Sequence, residues 1–253
     1  MSIAFKRMNL VIVGGQKCGT TALAHFLSQH PDIFVVNGKE AHVFDDPMFE
    51  TLTDKDIDDR YKTLMEGYAG EQWVCDATPI YSYWEQIPEK LMKYNPEMKA
   101  IFMVRNPVDR AISHYFMEQG RGDERLGILR AFWVENKRLL ADKGDSSWGS
   151  SWRHHSYLDR GFFSSQIDRL KRVFSAEKLL VITNDQLLIE HKLTLSSIFH
   201  FLGVDFALIA EEKIFQGSYR TEGYQVRIAR LYAAWRLRRE RSRLKEFHGI
   251  TID

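Results

Sequence analysis

One lysine in an unusual place sets the chemistry. The stretch Gly14-Gly15-Gln16-Lys17-Cys18-Gly19-Thr20-Thr21 directly follows the apolar run Leu10–Val13. A strand that runs into a glycine-bearing loop and then a helix makes an anion cradle. Backbone N–H groups point at the ligand, and the helix dipole adds partial positive charge. A nucleoside-triphosphate P-loop reads G-x-x-x-x-G-K-[ST], with lysine immediately after the last glycine. Gly14 and Gly19 keep that spacing, but Thr20 stands at the lysine position and Lys17 lies inside the loop. This displacement argues against a kinase or NTPase and for a loop that holds another phosphorylated group.

A second chemical segment is Lys99-Ala-Ile-Phe-Met-Val-Arg105-Asn-Pro107, continuing to Ser113 and Tyr115. A buried strand would deliver Arg105 to its C-terminal end, where open α/β sheets bind ligands. Pro107 suits the first turn of the helix that follows, and Ser113 falls on its inner face two turns later. A guanidinium fork and a small hydroxyl converging in this way suit a phosphate monoester; a strand-end salt bridge is the structural alternative for Arg105. No aspartate closes this strand, so it offers no carboxylate for a nucleotide-bound Mg²⁺.

The elements that must position these residues alternate between apolar runs and longer helical patterns, which predicts an α/β fold with a P-loop-like core and a mainly parallel sheet. Strands are expected at Leu10–Val13, Ile33–Val36, Gln72–Cys75, Lys99–Val104 and Leu179–Thr183. Helices are expected at Thr20–Gln29, Asp54–Met65, Gln86–Tyr94, Val108–Gln119, Ile128–Ala141, Phe163–Val173 and Thr194–Leu202. The segment 143–157, KGDSSWGSSWRHHSY, has no clear period; it reads as a mobile loop over a site, or as an ordinary surface loop. From 225 to 247 the chain reads as one strongly basic helix, with Ile228, Leu231, Trp235, Leu237 and Leu244 to pack it on the body. Such a helix can make peripheral contact with an anionic membrane or present a solvated face.

At 253 residues the chain is expected to form a single domain. Lys+Arg of 35 against Asp+Glu of 34 gives no global field that would select nucleic acid. Cys18 and Cys75 make no disulfide framework, and no apolar run approaches the ~20 residues of a membrane span. The expectation is a cytoplasmic protein of unreadable oligomeric state.

Three motifs in order, GGQKCGTTAL, GKEAHVFDD (38–46) and VRNPVDRAISHY (104–115), resemble the sulfotransferases that use 3′-phosphoadenosine 5′-phosphosulfate (PAPS), in particular the heparan-sulfate N- and 3-O-sulfotransferase type and its bacterial relatives. The resemblance implies transfer of a sulfuryl group to a hydroxyl, less readily an amine, of a glycan or small molecule, leaving adenosine 3′,5′-bisphosphate, with no metal required. It implies that Gly15, Gln16, Lys17, Cys18, Gly19, Thr20 and Thr21 hold the 5′-phosphosulfate, and that Arg105 and Ser113 hold the 3′-phosphate. Ser218, Tyr219 and Arg220 would close the nucleotide site. Lys17 would stabilise charge on the bridging oxygen. Glu40 would take the acceptor proton. His42 would assist it or serve only as a structural histidine, and Asp45, Thr78 and Tyr81 would line the acceptor pocket.

In one place the sequence departs from the family. Those relatives carry a lysine in an E-K-T-P segment; here Cys75-Asp76-Ala77-Thr78-Pro79 puts Ala77 in its place. Either Lys17 alone neutralises the sulfonate, or another cation such as Lys39 reaches in. The alternatives to a sulfotransferase are a P-loop kinase or NTPase and a non-catalytic nucleotide-binding module.

Overall fold

The computed structural model describes residues 4–212, 214 and 223–252. The first half runs β1 (Leu10–Gly14), α1 (Thr20–Leu27), β2 (Ile33–Val35), α2 (Asp54–Thr63), β3 (Trp73–Asp76), α3 (Ile87–Tyr94), β4 (Lys99–Val104) and α4 (Pro107–Arg121). The second half runs α5 (Ile128–Ala141), α6 (Ser151–His154), α7 (Phe163–Val173), β5 (Leu179–Thr183), α8 (Asn184–Ile189), α9 (His191–Leu202), α10 (Tyr224–Arg236) and α11 (Glu240–His248).

The five strands form one parallel sheet in the order β2-β3-β1-β4-β5. Helices on both faces bury β1 and β4 almost completely, which is why both read as continuous apolar runs rather than alternating ones. From β1 the chain moves outward to β2 and β3 on one side, then crosses to β4 on the other. The C-terminal ends of β3, β1 and β4 therefore share the crevice beside the switch point, where such sheets bind ligands.

Local signals fix the helices around that crevice. Asn106 Oδ1 accepts from the N–H groups of Val108 and Asp109 at 3.0 and 3.3 Å, and Pro107 occupies the first turn, so α4 starts just past β4. Capping boxes at Thr53/Asp56 and Thr183/Gln186 start α2 and α8.

Two expectations change. The basic C-terminal helix is two helices. Glu240 is buried, and its Oε1 accepts from Ser164 N at 2.6 Å and Ser164 Oγ at 2.7 Å, so it caps the first turn of α7. Serving that cap turns the chain between α10 and α11. The inner stripe of α10 is Val226, Ala229 and Ala233, whose small side chains allow close packing on α4 and α5, while Leu231 and Trp235 are exposed. The segment 143–157 also carries structure. It contains α6, and Arg153, Ser156 and Tyr157 are buried. His154 Nδ1 meets Glu118 Oε2 at 2.9 Å, tying the segment to α4.

Candidate active site

The loop after β1 is shaped by two glycines with no room for a side chain. A Cβ on Gly14 would lie 2.1 Å from Ser82 Oγ, and Gly19 has φ +93° with Asn184 Nδ2 2.5 Å from where a Cβ would stand. Gly15 spends its N–H on Met103 O (2.9 Å), so it gives the loop shape rather than a donor for an anion. Gln16 accepts from buried Arg160, and Cys18 is fully buried, with its thiol pushed up to about 12 by burial. The side chains of Gln16 and Cys18 are therefore committed to the protein, which leaves Lys17, the loop backbone and the start of α1 to hold an anion. Gly19 gives that helix no side-chain cap, and its first turn holds no acid, so its dipole is available to an anion.

Lys17 is half-buried with φ +66°. Burial lowers its pKa, and the positive charges of Arg121, Lys39, Arg105 and Arg110 lower it further. Arg105, at the end of β4, donates to Lys17 O at 3.4 Å. Arg110 is fully buried one helical turn into α4; one nitrogen reaches Tyr157 O, while Nε and Nη1 have no hydrogen-bond partner. Among the described residues, none of Lys17, Arg105 and Arg110 has a carboxylate within 4.0 Å. Ser113 is buried on the inner side of the same helix. Ser218, Tyr219 and Arg220 lie outside the described residues.

Across the crevice, the segment after β2 is organised in the opposite way. Lys39 Nζ lies 2.5 Å from Glu40 Oε1 and donates to Thr21 Oγ1 at 3.1 Å. Glu40 Oε2 lies 3.3 Å from His42 Nε2, and His42 Nδ1 lies 3.0 Å from Asp45 Oδ2. Asp45 in turn holds Arg153 Nη1 at 2.5 Å. Cation and anion thus alternate from Lys39 to Arg153. Burial pushes the Glu40 carboxyl up, but the bonds from His42 and Lys39 outweigh it and hold it at about 2. For His42 burial opposes charge, yet Asp45 and Glu40 raise it to about 9, so the proton resides on the imidazole. Lys17, Lys39 and His42 are the non-glycine residues with positive φ among those described, and all three belong to this site. Such backbone strain gathers where surrounding structure holds functional residues in place.

Three expected acceptor-pocket residues turn out to be supports. Thr78 and Tyr81 are fully buried, and the Asp45 side chain is inaccessible. Tyr81 Oη accepts from Val43 N (3.0 Å) and donates to Asp76 Oδ2 (3.0 Å). Thr78 Oγ1 accepts from His42 N and donates to Asp76 Oδ1 at 2.6 Å. With Tyr61 Oη (2.8 Å) and Ala41 N (3.2 Å), Asp76 accepts four hydrogen bonds. This acid, at the end of β3 beside the loop, is the strand-end carboxylate that a reading of β4 alone overlooks. Its acceptor sites are filled by the protein, which does not suit a nucleotide-bound metal.

Arg153, Arg110 and Arg160 are site residues that sequence reasoning missed. The arginine at 153, inside a stretch otherwise made of small, polar and aromatic residues, was the available signal. Trp148 from the same stretch is half-exposed, with its ring edge-on to His42 at 5.9 Å and under the Arg153 guanidinium at 4.3 Å.

A displaced lysine in the loop after β1, with Glu40 and Lys39 close to the helix that follows it, sits at the C-terminal edge of a parallel sheet in an α/β fold with a P-loop-like core. Comparison with known proteins makes this specific. The family profile described as "Sulfotransferase domain" matches residues 7–219, and the chain belongs to that family. It is 27% identical over 194 residues to human heparan sulfate glucosamine 3-O-sulfotransferase 3B1 and 28% identical over 194 residues to human heparan sulfate glucosamine 3-O-sulfotransferase 6. Each match covers 77% of this chain, but only 45% and 52% of those proteins, so the chain spans about half the length of the curated relatives it matches. The crystal structure of a sulfotransferase from Alicyclobacillus acidocaldarius superposes with a TM-score of 0.76 at 27% identity, covering 96% of both chains.

Proposed function

We propose that this protein transfers the sulfuryl group of PAPS to a hydroxyl of a carbohydrate acceptor. The observation that carries this reading is the pair of half-buried cations at the loop, Lys17 and Arg105, with fully buried Arg110 nearby and no carboxylate within 4.0 Å of any of the three among the described residues. Half-buried cations with no carboxylate in direct contact are costly unless an anion arrives. PAPS supplies fixed phosphates and an activated sulfur–oxygen bond. Lys17 and the first turn of α1 would hold the 5′-phosphosulfate; Arg105 and Ser113 would hold the 3′-phosphate.

In the transfer, the acceptor oxygen bonds to sulfur while the bond from sulfur to the bridging oxygen breaks. The electron pair leaves with the 5′-phosphate, and the acceptor proton passes to Glu40. Lys17 stabilises the negative charge that grows on the leaving oxygen, help that counts chiefly in the transition state. His42, fixed by Asp45, orients Glu40 and keeps it ionised.

The human relatives are glucosamine 3-O-sulfotransferases by name, which favours a carbohydrate acceptor for this chain. Here the half-exposed Trp148 ring beside His42 offers a face on which a sugar ring can stack. Two buried free thiols suit a reducing, cytoplasmic setting. Incubating the protein with ³⁵S-labelled PAPS and a panel of glycan, amine and small phenolic acceptors tests the proposal. Label on a glycan hydroxyl supports it. Failure to label any acceptor, together with ATP hydrolysis, would return the chain to the kinase and NTPase alternative.

A further inference from the structure

Lys39 stands between the two halves of the site. Its backbone is fixed: Lys39 N donates to Val36 O and Lys39 O accepts from Ala77 N, both at 2.9 Å, with φ +70°. This ties it to Ala77, the position with no lysine. Its ammonium, on a side chain only 18% exposed, bridges Thr21 Oγ1 in the first turn of α1 and Glu40 Oε1. Lys17 approaches the same helix start from the loop, close enough that the Lys39 ammonium helps lower its pKa.

We infer that Lys39 is a catalytic cation that exchanges Glu40 for the transferring sulfonate, so that the base is released only when the donor is in place. This rests on the PAPS reading. In the structure the carboxylate meant to take a proton is held by Lys39 on one oxygen and His42 on the other. Such a base is too well stabilised to accept a proton near neutral pH, where a general base works best with a matched pKa. Release of one partner is therefore required, and Lys39 is the partner that touches the donor helix. A sulfonate arriving over Thr21 offers the ammonium a new counter-ion at almost no displacement. Glu40 then keeps His42, itself held by Asp45 and Arg153, as its orienting partner. The acceptor proton goes to the freed Oε1 as oxygen bonds to sulfur and the sulfur–bridging oxygen bond breaks towards the 5′-phosphate. The device imposes an order, with donor before productive acceptor.

The test uses K39A, K39R and K39C, the last before and after alkylation with 2-bromoethylamine, which builds a lysine isostere. Cys18 and Cys75 are buried with raised thiol pKa values, so the introduced thiol alone should react. In the free K39A protein the Glu40 carboxyl, followed by ¹³C NMR, should titrate at higher pH. Affinity for adenosine 3′,5′-bisphosphate, which lacks the sulfonate, should stay unchanged by calorimetry. kcat should fall about a hundred-fold, with recovery in K39R and in alkylated but not unalkylated K39C. A K39A protein with wild-type kcat would overturn the inference, as would loss of bisphosphate affinity in step with kcat. If the wild-type protein itself neither binds bisphosphate nor transfers sulfate, the sulfotransferase reading fails first.

Discussion

The two sides of the crevice handle charge in opposite ways. On the donor side, Lys17, Arg105 and Arg110 gather around a glycine loop with no carboxylate within 4.0 Å among the described residues. On the acceptor side, Lys39, Glu40, His42, Asp45 and Arg153 form an alternating series in which each charge has its opposite within 3.3 Å. A set of cations without anions is complete only when a polyanion binds. A series in which every charge is paired can receive an uncharged hydroxyl and pass one proton along it. This difference is what the proposed function rests on in placing the donor on one side and the acceptor on the other.

The comparison can be broken most sharply at Glu40. E40Q keeps the shape but cannot take a proton; kcat should fall about a hundred- to ten-thousand-fold, while bisphosphate affinity by calorimetry is retained. Equal losses in both would place Glu40 in the donor site instead. K17A should lower kcat by about a hundred- to a thousand-fold and weaken bisphosphate binding less, as read from parallel turnover and titration; unchanged turnover would remove Lys17 from the chemistry.

R153M tests whether the acceptor side is held as one unit. Asp45 would keep His42 but lose its buried guanidinium, and losing one partner of a buried pair costs about 3–5 kcal/mol, measured by urea unfolding. A near-neutral result would mean the series is not a unit. R105A should weaken bisphosphate binding by about 1.5–3 kcal/mol with a smaller effect on kcat; equal affinity in the variant would count against the 3′-phosphate assignment.

The smallest effect is in pH. The folded-state pKa of His42, about 9, lies above its ordinary 6.5, so its contribution to stability is full below 6.5 and lost as pH rises through about 9. Glu40 has the opposite sign: its contribution is present above 4.5 and lost as pH falls through about 2. The melting temperature should decline on the alkaline side in the wild type and less in H42Q; parallel profiles would mean that His42 carries no folded-state charge.

Much of this was legible in the sequence, for identifiable reasons. A parallel strand buried on both faces appears as an uninterrupted apolar run, so Lys99–Val104 comes out with its observed bounds; Leu179–Thr183 does too, as a strand at the sheet edge whose first three residues are only partly buried. Lys17 stands out from its displaced place in the glycine loop, whereas Glu40 is singled out only by the family resemblance of the segment around it. The supports did not stand out. Asp45 and Arg153 are 108 residues apart, and no local pattern couples them. Glu240 breaks the basic helix for the sake of Ser164, 76 residues away. Thr78 and Tyr81 have the residue types of a polar pocket, and only the donors converging on Asp76 show that they lie beneath it.

The most direct measurement is calorimetric titration with adenosine 3′,5′-bisphosphate in EDTA, beside a titration with Mg-ATP. Tight binding of the bisphosphate that EDTA does not weaken, with little response to ATP, is the predicted result. Preference for Mg-ATP, or no bisphosphate binding, would contradict the assignment of Lys17 and Arg105 to a sulfate donor.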